Sequence, residues 1–98
     1  MNAEKMIEER KIKLIEQILN HSVYGEAYIV TTPRKWKMIV LNHFNKVQRG
    51  DLIVSDLMDI LEDKYSVVYS QKRSLVRYPI EECLKYIAKV ANKPLELS

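Results

Sequence analysis

The sequence predicts an α+β, mostly helical domain, and three observations carry that reading. Four segments repeat apolar residues at helical spacing. Three short runs, residues 26–31, 67–69 and 75–78, are rich in β-branched and aromatic side chains, the composition of strands. With 98 residues, 2 glycines and 3 prolines, the chain has room for a single domain, 1–98, and for no flexible linker. The expected order is helix, strand, helix, helix, strand, strand, helix (α-β-α-α-β-β-α).

Asn2 can cap a first helix, in which Met6, Ile7, Leu14, Ile15, Ile18 and Leu19 fall near one face. Glu9 precedes Lys13 by four residues, a favourable pair. This helix should end near Asn20-His21, and Tyr24-Gly25 breaks its pattern before the first strand. Thr32-Pro33 starts a second helix: a hydroxyl at the cap, then proline at the first helical position. Trp36, Ile39, Val40, His43, Phe44 and Val47 form its inward stripe, which makes Trp36 a core residue rather than a platform for a nucleic-acid base. Gln48-Arg49-Gly50-Asp51 is a turn. Ser55 caps a third helix that runs to Lys64, with Leu57, Ile60 and Leu61 inward.

The runs 67–69 and 75–78 flank the polar stretch Ser70-Gln71-Lys72-Arg73-Ser74, so residues 67–78 predict a β-hairpin with a basic tip. The same residues also fit a helix capped by Ser70 and ended before Pro79. Pro79 begins the last helix, with Glu81 and Glu82 in its first turn and Lys89 and Lys93 in its last, as the helix dipole prefers. Ile80, Leu84, Ile87 and Ala91 form its stripe, and Asn92 with Pro94 ends it.

This order resembles the winged helix-turn-helix family over residues 4–78, with one extra C-terminal helix. The resemblance implies duplex-DNA binding and dimerisation through terminal helices. It makes residues 55–64 the recognition helix and 67–78 the wing. In size and element order the chain is also similar to winged-helix accessory proteins of conjugative plasmids.

The charge pattern is more telling than its total of +3. Residues 33–50 hold five bases (Arg34, Lys35, Lys37, Lys46, Arg49) and no acid, and residues 65–78 hold Lys72, Arg73 and Arg77 and no acid. Between them, residues 51–64 hold five acids against the single base Lys64. Arg34 and Lys35 sit where a helix dipole disfavours cations by about 0.3–1 kcal/mol each, so a bound anion such as a phosphate would explain them. A basic hairpin tip can follow a phosphate backbone or enter a minor groove. The acidic third helix would be repelled by DNA unless Asp56, Asp59 and Asp63, at i, i+3 and i+7, face away. They could equally meet a basic surface of a second subunit or partner.

Other classes lack support. The longest apolar runs, such as Met38-Ile39-Val40-Leu41, are far short of the roughly 20 residues of a membrane span. The charged N-terminus lacks a signal-peptide core, and the single Cys83 builds no disulfide framework, so a cytoplasmic location is expected. His21, His43 and Cys83 show no zinc-site or catalytic spacing, and the glycines form no phosphate loop. No cofactor or metal and no enzymatic activity are expected.

The reading is a small double-stranded DNA-binding protein, sequence-specific and dimeric through its first and last helices. It would act as a repressor or as an accessory factor at a plasmid or phage replication, partition or transfer origin. The expected DNA contacts are Arg34, Lys35, Lys37, Gln71, Lys72, Arg73, Ser74 and Arg77, with Lys11 and Lys13 of the first helix. The alternative is a protein-docking module that binds no nucleic acid and takes a basic partner on its acidic helix.

Overall fold

A computed structural model describes residues 3–91, with side chains from Glu8 onward. The elements are α1 (Ala3–Asn20), a short 3-10 turn (Glu26–Tyr28), α2 (Pro33–Gln48), α3 (Val54–Asp59) running on into a π turn (Ile60–Lys64), and α4 (Arg73–Val90). The caps expected at Asn2, Asn92 and Pro94 lie outside the described residues, as does the side-chain placement of Met6 and Ile7.

The α+β winged-helix expectation is overturned: among the described residues there is no strand and no sheet. What is left of the first two expected strands is one isolated antiparallel bridge, Ile29 to Tyr69. It is held by Val30 N–H to Val68 O at 2.8 Å and Ser70 N–H to Tyr28 O at 2.8 Å. Thr31 Oγ1 accepts a further bond from Val68 N–H at 2.8 Å. Both segments turn away after two or three residues, too few for a ladder.

The expected third strand, residues 75–78, forms the beginning of α4, so there is no wing and Pro79 lies inside a helix rather than at its start. The reason is the reach of the helical stripe. Val76, Ile80, Cys83, Leu84 and Ile87 are all buried, so the period extends back across the proline, whereas Leu75, Arg77 and Tyr78 are exposed. An interior proline costs about 3 kcal/mol through a lost hydrogen bond and a ring clash. Here the ring is buried beneath Gly25. Gly25 has φ +80°, and a Cβ added there would stand 3.1 Å from Pro79 Cδ and from the Tyr28 ring. Only glycine lets the chain after α1 close over that ring.

Two smaller corrections concern α3. Ile53, not Ser55, occupies its cap, and Ser55 lies within the first turn. At the far end Tyr65 N–H donates to Ile60 O at 3.3 Å, five residues back, which widens the last turn. Ser66 then adopts φ +55°, and Val67 N–H returns to Leu61 O at 2.9 Å, the bonding of a left-handed helix stop. A serine pays for that backbone conformation where glycine does not. Ser66→Gly is therefore expected to stabilise the fold by about 0.5–1 kcal/mol, read as a rise in the urea midpoint at unchanged slope.

One core joins all four helices. Ile18 of α1, Trp36, Val40 and Phe44 of α2, Leu57 and Leu61 after Ile53, and Ile80, Leu84 and Ile87 of α4 are buried together. α2 packs on α1, α3 and α4. Among the residues whose side chains are described, α1 is seated by its C-terminal half. Ile18 and Leu19 are buried and Leu14 and Ile15 half-buried, whereas every residue from Glu8 to Lys13 is exposed, Ile12 at 59%. Among the described residues no helix is long and apolar enough to cross a membrane.

Candidate docking groove between α1 and α2

The ten polar residues expected to grip DNA have different fates. Lys37 is corrected outright. It is 2% exposed, its Nζ donates to His21 O at 2.5 Å, and it forms an ion pair with Glu26. It therefore ties the end of α1 to the 3-10 turn and presents nothing to a phosphate. Arg34 reaches back to Glu16 with both terminal nitrogens, at 3.0 and 3.1 Å. The guanidinium hydrogen bonds and charge hold the Glu16 carboxyl below its ordinary range. Arg73 donates to Glu62, to Asp59 at 2.8 Å and to Ser55 O at 2.6 Å, which staples the start of α4 to the acidic α3 and its π turn. Arg77 pairs with Glu81 one turn on.

Lys11, Lys13, Lys35 and Lys72 are exposed and form no ion pair among the described residues, and Gln71 and Ser74 are exposed beside Lys72. The two basic blocks do not share a hairpin. α2 follows the Thr31 end of the antiparallel bridge and α4 follows the Ser70 end, so the helices leave that short pairing at opposite ends.

The concave feature the structure does assemble is apolar. A depression of about 340 Å³ is lined by Lys11, Leu14, Ile15 and Ile18 of α1, by Met38, Leu41 and Phe44 of α2, and by Ile87 of α4. A shallower one of about 640 Å³ is lined by Ile15, Glu16 and Leu19, by Arg34, Lys35 and Met38, and by Tyr65. Ile15 and Met38 line both, so the two depressions adjoin along the α1–α2 seam and are described together as its groove. The half-exposed Met38, at 37%, sits where the two meet. The seam was not legible as a groove because Leu14 and Ile15 read as ordinary positions of the α1 stripe. Their half-burial depends on how far α1 stands from α2.

The remaining chemistry-bearing groups are buried or stacked. His21 lies flat on Tyr86 with ring centroids 3.7 Å apart, and Tyr86 Oη accepts from Gln17 Nε2 at 3.0 Å. His43 contacts Ile39 O through Nδ1 at 2.8 Å. Among the described residues no cluster of three or more His, Cys, Asp or Glu side chains could hold a metal ion. Burial pushes the Cys83 thiol up to about 12 and, with the nearby Glu62 charge, also raises the Tyr69 hydroxyl.

Two results follow. Cys83 should resist thiol reagents in the native protein and react at a rate that tracks unfolding. Both groups stay protonated in the fold where the unfolded chain ionises, so stability is complete below about pH 9 and falls as pH rises toward their folded values. A urea series from neutral to alkaline pH checks the sign. The alkaline loss should shrink in Cys83→Ala, on top of that variant's own fixed cost.

No family model, no curated protein and no solved structure matches the chain.

Proposed function

We propose that this protein is a protein-docking module whose receptor surface is the α1–α2 groove. The observation that carries the reading is the groove itself. It is a pair of apolar depressions that adjoin at Ile15 and the half-exposed Met38, beside an α1 whose residues 8–13 are exposed. Scattered exposed apolar residues need no explanation, but a contiguous concave set between two helices is the form in which partner helices are recognised. The acidic α3 is a poorer receptor for a basic partner, since Asp59 and Glu62 are already held by Arg73.

The test is a selection from a displayed library of helical peptides against the full chain, with Met38→Glu as the counter-target. Enrichment on the wild type and not on Met38→Glu supports the reading. Equal enrichment on both, or none, sinks it.

One observation favours a second reading, duplex-DNA binding: Lys11, Lys13, Lys35 and Lys72 are exposed and have no ion pair among the described residues, on a chain of net charge +3. A repressor or origin-accessory role would follow only from that reading. Anisotropy of a labelled random-sequence duplex separates the two. Binding at low salt that falls steeply with added salt, and is lost when those four lysines become glutamate, would favour DNA.

A further inference from the structure

We propose that the groove takes an amphipathic helix of about three turns that carries a carboxylate at each end of its apolar stripe. This rests on the docking reading and adds the partner's length and charge.

The length comes from the lining. Along α2 the lining runs from Arg34 to Asn45, eleven residue steps or about 16.5 Å of helix rise. Three turns of a partner helix, about 16 Å, match it, with side chains at i, i+4 and i+7 or i+8 reaching the floor. The floor is built from Leu14, Ile15, Ile18, Met38, Leu41 and Phe44. An apolar floor of this kind offers nothing to a phosphate backbone and suits aliphatic or aromatic anchors. Met38, unbranched and half-exposed, can adjust to their shape.

The charge comes from the rim. Four charged residues line the groove: Lys11, Glu16, Arg34 and Lys35. Glu16 and Arg34 satisfy each other through two hydrogen bonds. That leaves Lys11, which lines only the first depression, and Lys35, which lines only the second. These two cations, which have no ion pair among the described residues, therefore stand at opposite ends of the groove, with the apolar floor between them. A partner helix with lysines at those places would meet like charge twice. One with glutamates would gain two rim pairs, which steer association and fix its register. One of those glutamates would fall in the partner's first turn, where the helix dipole also favours it.

The experiment uses the full chain and three fluorescein-labelled peptides: an amphipathic helix with Glu at both ends of its stripe, its twin with Lys at those positions, and a version with the apolar residues scrambled. The Glu peptide should bind at least about tenfold more tightly than the Lys twin at low salt, and the ratio should shrink as salt rises. The scrambled peptide should not bind. Lys11→Glu with Lys35→Glu should reverse the preference. Both lysines are exposed, so this variant should keep the wild-type circular dichroism. Met38→Glu should weaken both stripe-bearing peptides.

Equal affinity for the Glu and Lys peptides, lost in Met38→Glu, overturns the charge assignment and leaves the docking reading intact. If neither peptide binds while the display selection yields groove ligands of another pattern, the inference fails alone. A sedimentation mass of a dimer that Met38→Glu converts to monomer would make a second copy the occupant and overturn it.

Discussion

Lys37→Ala is expected to cost about 3–5 kcal/mol, most of the margin of a domain this size. The lysine is 2% exposed and its ammonium has two partners, the His21 carbonyl and the Glu26 carboxylate. Truncation leaves the Glu26 side chain, 24% exposed, facing a cavity without its counter-charge, and leaves a carbonyl at the end of α1 unpaired. Breaking one member of a buried pair is expensive for that reason, whereas replacing the pair together is not. Lys37→Met combined with Glu26→Leu should therefore recover most of the loss, and a double-mutant cycle by urea denaturation should show strong coupling. Lys37→Ala within about 1 kcal/mol of wild type would mean that Glu26 finds water and that the pair is incidental.

Lys37 also marks how far the sequence could be read. The extents of α1 and α2 were legible, because Asn20-His21 breaks one apolar period and Thr32-Pro33 opens the next. So was most of the core: Trp36, Val40 and Phe44 are buried on the expected stripe. Lys37 was assigned by its charge, yet its position was informative. It stands three residues before Val40 and seven before Phe44, in line with that stripe. A base on a buried stripe implies a buried acid, and Glu26 is the acid that chain folding brings to it.

Residues 75–78 were misread for the opposite reason. Val76 and Tyr78 satisfy strand propensity locally, and Pro79 is a good helix start, but burial of Val76 in register with Ile80 decides the matter through contacts far along the chain. Ion pairing is the least legible level. Nothing in the sequence shows that Arg34 will meet Glu16 or that Arg73 will meet Asp59 and Glu62. Lys11 and Lys35 stand out as exposed cations, but the apolar floor between them exists only once α1 lies on α2.

The second large effect is at Trp36, where alanine should cost about 3–5 kcal/mol and phenylalanine much less, about 1–2 kcal/mol. Trp36 is wholly buried, so no part of its ring is free to stack on a partner. It belongs to the core shared by α1, α2, α3 and α4, and Lys37 Nζ lies 5.7 Å from its ring centroid. Removing the indole empties a volume that four helices cannot close without moving, and it strips apolar cover from the Lys37–Glu26 pair. Phenylalanine keeps most of the ring and removes a liability, because Trp36 Nε1 is buried with no hydrogen-bond partner among the described residues. This asymmetry makes the test specific: the loss should follow cavity volume, not loss of an indole hydrogen bond. Circular dichroism during urea titration is the suitable readout, since Trp36 is the chain's only tryptophan and its removal takes the fluorescence signal with it. Equal losses in Trp36→Phe and Trp36→Ala would show that the indole nitrogen does find a partner in solution and that packing alone does not hold the helices together here.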